Sequence, residues 1–423
     1  MQGHLLDNVA EFRGHSILYA VIQNARVAMR AAITLLTIAF FAMVIRGAAQ
    51  EPGVESAAVL RQAKLLRANH QPEAAAHVLN SFLLKKPEDA DALVLLAQIR
   101  MDQGDVSTSK ELLTKALATS PNSSAANITL GKLMLEEHRD PEAMDRFETV
   151  LAIDLRDKQA REGELVAATE LAMSAKRENR QDAALEVLEH ARTKLPDDPK
   201  LLLDLGIQAT EMGVLGEAAD ALQTARRLDA SDPDILYALG RLEMQEQHLQ
   251  AAESDLRAYL AKRPEDASAH FGLGKVLEVA QRTTEARAEF ERSIQLQPAQ
   301  TESYYELGQL ELEMQHDARA APLFQKVLTR DSMHGGALTG MGIITFHSKD
   351  YAQAEQYLAR AEKTAPNYQP AHYYRGLALA RLGQKDESRR ELQIATDLDR
   401  KQQGPPGAIN GTSESGTVNA PPR

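Results

Sequence analysis

Tyr237, Phe271 and Tyr305 stand 34 residues apart, and Tyr373 follows two periods later with Thr339 at the place between. Four residues after the first three rings come Arg241, Lys275 and Gln309. Rings accompanied by cations at a fixed offset are side chains that can hold a peptide: an aromatic face takes an apolar anchor, and a guanidinium or ammonium takes a carboxylate. Only 4% of the chain is aromatic, which makes their coincidence in consecutive periods worth pursuing. Catalytic chemistry finds no such support. The chain has no cysteine, hence no thiol nucleophile, no cysteine metal site, no disulfide and no lipidated cysteine. No glycine-rich run ends in Gly-Lys-Ser or Gly-Lys-Thr, and the nearest look-alike, Gly272 to Lys275, contains a glycine that belongs to the 34-residue period. None of the 12 histidines forms a zinc-binding His-Glu-x-x-His set. His70, His138, His248 and His316 fall at turns and call for no functional explanation. The expectation is a protein that is not an enzyme, with no cofactor and no metal.

The elements that carry these residues are set by a second set of places. Gly206, Gly240, Gly274, Gly308, Gly342 and Gly376 recur every 34 residues inside segments that otherwise read as amphipathic helix. A glycine inside a helix costs about 1 kcal/mol relative to alanine, so the series must be offset by close approach of another helix. Twelve residues after each glycine stands a small residue, Ala218, Ala252, Ala286, Ala320, Ala354 and Ser388, and four further on a large one, Leu222, Leu256, Phe290, Phe324, Leu358 and Leu392. Counted backwards, Ala172, Gly131, Ala97 and Ala63 fill the glycine place, Ala184, Ala143, Ser109 and Ala75 the small place, and Leu188, Phe147, Leu113 and Leu79 the large place. The frame slips by seven residues near Lys158 to Glu164. That charged stretch either lengthens a helix by about two turns or, more plainly, forms an irregular loop between repeats. Gly274→Leu is expected to overpack the crossing, and Gly274→Ala to be tolerated.

With these small and large places in hand, the chain resembles the tetratricopeptide repeat family, whose unit is two antiparallel helices with small residues at their crossing. Leu236, Leu239, Gly240, Ala252, Leu256, Tyr259 and Pro264 fit one unit closely, and Pro87, Pro121, Pro196, Pro298 and Pro366 recur at the same exit place. The resemblance implies an all-α fold, a right-handed α-solenoid of about ten stacked helix-turn-helix units over residues 56–402. Units would start at 56, 90, 124, 165, 199, 233, 267, 301, 335 and 369, with 158–164 as extra residues. It also implies that residues three before and one after the repeat glycine face a concave groove. Tyr237, Arg241, Phe271, Lys275, Tyr305, Gln309 and Tyr373 are therefore the expected peptide-binding set. The alternative for the rings is packing against a neighbouring unit. The carboxylate clamp of the family's co-chaperones is absent: its places hold Leu60, Lys64, Leu95, Ala125 and Thr129.

Residues 1–49 read as a signal peptide or N-terminal anchor. Ala31 to Ile45 carries no charge, follows Arg30 and precedes Arg46, Gly47, Ala48 and Ala49, with Met29 an alternative start. The apolar run is shorter than the roughly 20 residues of a membrane-spanning helix, which favours export to the periplasm or beyond over an inner-membrane anchor formed by residues 31–45. Residues 403–423 are rich in Gly, Pro, Ser, Thr and Asn and are expected to be a disordered tail. The net charge is −12, and residues 1–49 carry four Arg against Asp7 and Glu11, which leaves −14 for the remainder. Nucleic acid and anionic membrane are poor partners for such a surface. The expected partner is a protein, with membrane contact only through an uncleaved N-terminus. The expected role is a bacterial, non-catalytic scaffold holding a protein segment in its groove, in envelope assembly, secretion or polysaccharide export. The alternative is an accessory or regulatory subunit of an envelope enzyme or transporter, binding through its convex face or ends.

Overall fold

The computed structural model describes residues 52–403. The expected signal or anchor (1–49) and all but the first residue of the expected tail (403–423) lie outside the described residues. Twenty helices and no strand occur among the described residues, arranged as ten helix pairs in two compact bodies that divide at Leu195 and Pro196. The first body holds α1 (Pro52–Ala68) with α2 (Pro72–Leu83), α3 (Ala90–Asp102) with α4 (Val106–Thr119), α5 (Ser124–Glu136) with α6 (Asp140–Leu151), and α7 (Lys158–Arg177) with α8 (Gln181–Lys194). The second holds α9 (Pro199–Met212) with α10 (Leu215–Leu228), α11 (Pro233–Gln245) with α12 (Leu249–Lys262), and α13 (Ala267–Val279) with α14 (Thr283–Leu296). It continues with α15 (Thr301–Glu313) and α16 (Asp317–Arg330), α17 (Gly335–His347) and α18 (Tyr351–Thr364), and α19 (Gln369–Arg381) and α20 (Lys385–Gln403). Within each body the first helices of successive pairs touch along their length, except α13 and α15, which meet through side chains such as Lys275 and Glu306 at 3.0 Å; second helices make no contact of the former extent, which puts the first helices on the inner side of the curve.

Each pair turns through one residue with positive φ: His70, Gly104, His138, Asn179, Gly213, Gln247, Gln281, Gln315, Lys349 and Gly383. In every pair the N–H of the next residue bonds a carbonyl five residues back, from Gln71 to Leu66 at 2.9 Å through to Gln384 to Leu379 at 2.9 Å. That bond terminates the first helix by satisfying one of its orphan carbonyls, and it needs the left-handed residue before it. Seven of the nine following first helices start on side-chain caps. Asp89, Ser123, Asp157, Asp198, Asp232 and Asp266 each accept from a first-turn N–H, and His334 does so through Nδ1.

The repeat glycines face the large residue of their own second helix. A Cβ at Gly274 would lie 2.7 Å from the Phe290 ring, at Gly206 2.4 Å from Leu222, and at Gly308 2.8 Å from Phe324. Phe147, Phe290 and Phe324 are fully buried, and all three stand opposite glycine; where alanine fills the glycine place, at Ala63, Ala97 and Ala172, the facing residue is leucine. The expected tolerance of Gly274→Ala is therefore corrected, because the added methyl enters the space of a fully buried ring that must shift to admit it. Two of the phenylalanines ask for a second glycine in the next first helix: Cβ atoms at Gly163 and Gly340 would come within 2.3 Å of Phe147 and 2.4 Å of Phe324. In the small place Ala218, Ala252, Ala286, Ala320 and Ala354 are fully buried, and Ser388 donates to the Gly376 carbonyl at 2.7 Å.

Residues 158–164 form no irregular loop; they are the first two turns of α7, which has 20 residues where the other first helices after α1 have 13 or 14. The fourth pair thus begins at Lys158, seven residues ahead of the start expected at 165. Asp157 caps α7 in step with Ser123, whereas Asn179 turns the chain in step with the later pairs. Seven residues make two helical turns to within about 20°, so the insertion keeps the same face inward. Gly163 packs on Phe147 of α6, and Ala172 serves the crossing with α8. One residue of the insertion is out of character. Glu164 is fully buried, neither carboxylate oxygen has a hydrogen-bond partner, and burial followed by the Glu148 charge pushes its carboxyl up to about 8.

Candidate peptide-binding face

The inner side of the second body presents the expected aromatic places on α11, α13 and α15. Each ring is half-buried and leans on the second helix of its own pair, and Tyr305 also meets the pair that follows. Tyr237 meets Tyr259 at 5.0 Å between centroids, Phe271 meets Phe290 at 5.9 Å, and Tyr305 meets Phe324 at 6.3 Å. Tyr259 is itself fixed by donating to Asp266, the cap of α13, at 2.5 Å. Tyr305 also stacks on His334 at 4.7 Å, and its hydroxyl fills the space where Gly336 lacks a Cβ. Thr339, the interruption in the aromatic series, is buried and bonds back to the Gly335 carbonyl at 2.9 Å. Tyr373 is half-buried and pairs edge-on with Tyr374 at 5.3 Å. The rings are thus seated on one side and open on the other.

The polar members differ from the expected set of cations. Arg241 is exposed, but Lys275 lies 2.7 Å from Glu278 and 3.0 Å from Glu306. Its charge is already spoken for, so a partner carboxylate is not what this lysine awaits. Gln309 donates to the Tyr305 hydroxyl at 3.2 Å. Glu278, Glu306 and Tyr368 were not part of the sequence-derived set, because they fall outside the two places the groove rule names. Tyr368, just ahead of α19, lies close enough to Tyr305 that each affects the other's phenol, and burial is the main cause of the upward shift in both.

The first body carries the same register with other chemistry. Leu60, Val94 and Ile128 occupy the ring place, and Lys64, Gln98 and Lys132 the polar place. A concavity of about 630 Å³ there is lined by Arg67, Gln98, Ile128, Thr129, Lys132 and Gln159 among others. Arg67 donates to Asp102 at 2.7 Å and to Gln98 at 3.0 Å, Gln98 donates to Thr129 at 3.2 Å, and Lys132 to Gln159 at 3.1 Å. The polar place could have been followed backwards along the same 34-residue register.

One group among the described residues brings metal-ligating atoms together: Glu362, His372 and Glu391, within 4.8 Å of one another. The surroundings make it an ionic clasp. Arg375 bonds Glu355 at 2.9 Å, Glu362 at 2.5 Å and Glu391 at 3.2 Å. His372 has Glu391 at 2.7 Å on Nδ1 and the Pro366 carbonyl at 2.9 Å on Nε2. Three repeats earlier His270 repeats the arrangement with Glu289 at 2.6 Å and Pro264 at 3.1 Å, without a second carboxylate in hydrogen-bonding range. At His372, acceptors on both ring nitrogens favour an imidazolium that ties the exit turn at Pro366 to both helices of the last pair. Burial alone would lower His372, but its bonds to Glu391 and the Pro366 carbonyl outweigh it and the net shift is upward.

Helix pairs crossing on small residues, with half-buried rings on successive first helices, define a helical-repeat protein. Models of the tetratricopeptide repeat match residues 60–124, 100–167 and 350–405, and the model of the cytochrome c-type biogenesis protein H TPR domain matches residues 239–372. No curated protein sequence matches the chain. Among solved structures, the chain is similar to PilF of Pseudomonas aeruginosa, with 20% identity, a TM-score of 0.43, and 49% of this chain and 93% of that one covered. It is similar also to a tetratricopeptide repeat protein from Parabacteroides merdae, with 18% identity, a TM-score of 0.42, and 61% and 99% covered. YrrB, described as a TPR protein with an unusual peptide-binding site, is 20% identical with a TM-score of 0.37 over 43% of this chain and 93% of its own. The chain is a tetratricopeptide repeat protein, an all-α solenoid of a kind that in general serves as a non-catalytic interaction scaffold.

Proposed function

We propose that this protein is a non-catalytic scaffold that holds a segment of a partner protein on the inner face of its second body, in the cell envelope. The observation that carries this reading is the row Tyr237, Phe271 and Tyr305. The rings recur on consecutive first helices, each backed by a buried aromatic and each left partly exposed. Half-exposed rings backed by a rigid second helix lose little freedom on binding, which is what concentrates affinity in a few aromatic anchors. The export signal expected in residues 1–49 and the match to a cytochrome c-type biogenesis TPR domain support an envelope setting, where assembly, secretion or polysaccharide export are the candidate processes.

A pull-down from envelope extract with the chain beginning at Gln50, read by mass spectrometry, identifies the partner. The same experiment with Tyr237, Phe271 and Tyr305 all replaced by alanine is expected to lose it. Phe271→Ala alone should weaken binding ten-fold or more, since a central ring contributes about 2 kcal/mol or more. Retained capture by a folded triple variant overturns the inner-face reading and directs attention to the outer helices and ends.

A further inference from the structure

The electrostatics around Lys275 run against an anionic partner. Lys275 and Glu278 project from α13, Glu306 and Glu313 from α15, and Tyr305 and Tyr368 close the same patch. The single ammonium is bonded to two carboxylates, at 2.7 and 3.0 Å, and these have side-chain exposures of only 18% and 21%. Glu313, at the exposed rim, belongs to the same group: partial desolvation and then the Glu278 charge push its carboxyl up, with Glu306 adding to the effect and Lys275 opposing it. Glu278 is pushed up by burial and by Glu306, against the bond from Lys275. Glu278 and Glu306 thus share one lysine, and Glu313 stands close enough to feel all three charges, so carboxylates outnumber the ammonium beside the rings. Like charges held together in a half-desolvated cleft are relieved by a cation placed among them, and the aromatic faces alongside favour the same kind of guest.

We infer that the segment held on this face is amphipathic and basic, with arginine or lysine side chains set down beside Glu278, Glu306 and Glu313 while its apolar side chains meet Phe271 and Tyr305. This rests on the inner-face reading and adds the sign of the partner's charge. Lys275 then acts as a placeholder that keeps the acidic cleft from expanding before the partner arrives, and no carboxylate of the partner uses it.

The test uses three labelled peptides of about 20 residues, long enough to follow several first helices, with one shared apolar pattern and with polar positions filled by Lys and Arg, by Gln, or by Glu. Fluorescence anisotropy with the full purified chain should rank the basic peptide about ten-fold or more ahead of the neutral one and show a strong loss with added salt. Combined Glu278→Gln, Glu306→Gln and Glu313→Gln should erase that preference while circular dichroism stays helical. Lys275→Met should tighten the basic peptide, the opposite of what a carboxylate-binding lysine would give. Equal affinities, a preference for the Glu peptide, no binding of the basic peptide, or an unchanged preference in the Gln variant each overturn the inference. The triple alanine variant at Tyr237, Phe271 and Tyr305 separates the two readings. If it weakens all three peptides alike while the charge preference is absent in the parent, the face stands and the basic partner falls. If it changes nothing while the Gln variant erases the preference, the acidic cleft stands and the ring row falls.

Discussion

At the scale of single residues, the Gly274–Phe290 contact sets a double substitution against each single one. Gly274→Ala forces a methyl against a fully buried ring at 2.7 Å and should destabilise the chain by about 1 to 3 kcal/mol. Adding Phe290→Leu recreates the alanine–leucine combination found at Ala63 with Leu79 and at Ala97 with Leu113, and should recover much of the loss. Urea melts of the four proteins in the cycle read the coupling directly, and additive effects would mean the two residues do not meet as described. Glu164 makes a prediction in pH. Its carboxyl is raised from 4.5 to about 8, so the folded chain keeps a proton that the unfolded chain gives up, and stability falls as pH rises between those values. Glu164→Gln should flatten that fall, gaining stability over the parent at about pH 8 and matching it near pH 5. His372 works in the same direction, because its raised value means that its contribution is present at low pH and lost as pH rises through the folded value. The Gln variant therefore reduces the slope without abolishing it.

At the scale of the element, the ten left-handed turn residues separate what could be read in the sequence from what could not. The crossings were legible because a helix pair needs a small residue facing a large one, and only a few residue types satisfy that. The turns were legible in place, as at His70 and His138, but their left-handed conformation was not, since only Gly104, Gly213 and Gly383 announce a positive φ; the other seven places hold His, Asn, Gln and Lys, which signal it far less. A non-glycine residue with φ of 66° stores strain, and Lys349→Gly should raise stability by roughly 0.5 to 1 kcal/mol after the entropy of the unfolded glycine is counted. Thermal melts check this, and a loss of stability would mean that the turn is not strained. The binding face divides in the same way. Its ring places followed from the period, but the neutralisation of Lys275 did not, because Glu306 reaches it from the next pair, 31 residues on. A single-repeat frame cannot see a bond between repeats. The helical course of residues 158–164 was within reach of the sequence, since seven residues is the insertion length that leaves a helix face almost unrotated.

For the whole molecule, each end of a repeat array must present a polar surface in place of a next pair. The helix α20 does this. Lys385, Asp386, Glu387, Arg389 and Arg390 are exposed, and Ser388 and Ala395 are the buried contacts toward the rest of the last pair. Removing residues 369–423 should uncover the apolar surface of α17 and α18 and produce aggregation visible by light scattering, whereas a chain ending at Gln403 should remain monodisperse. Equal solubility would show that α19 and α20 are not a cap. That phenylalanine at the large place always faces glycine, while leucine faces either glycine or alanine, has a consequence for how such a chain is assembled over time. Because the choice is settled between the two helices of one pair, a pair can be copied or moved as a cassette without renegotiating its neighbours. Phe147 and Phe324 are the exceptions, since each requires a glycine in the pair that follows, at Gly163 and Gly340. At those two seams duplication must carry two pairs together or leave a clash behind.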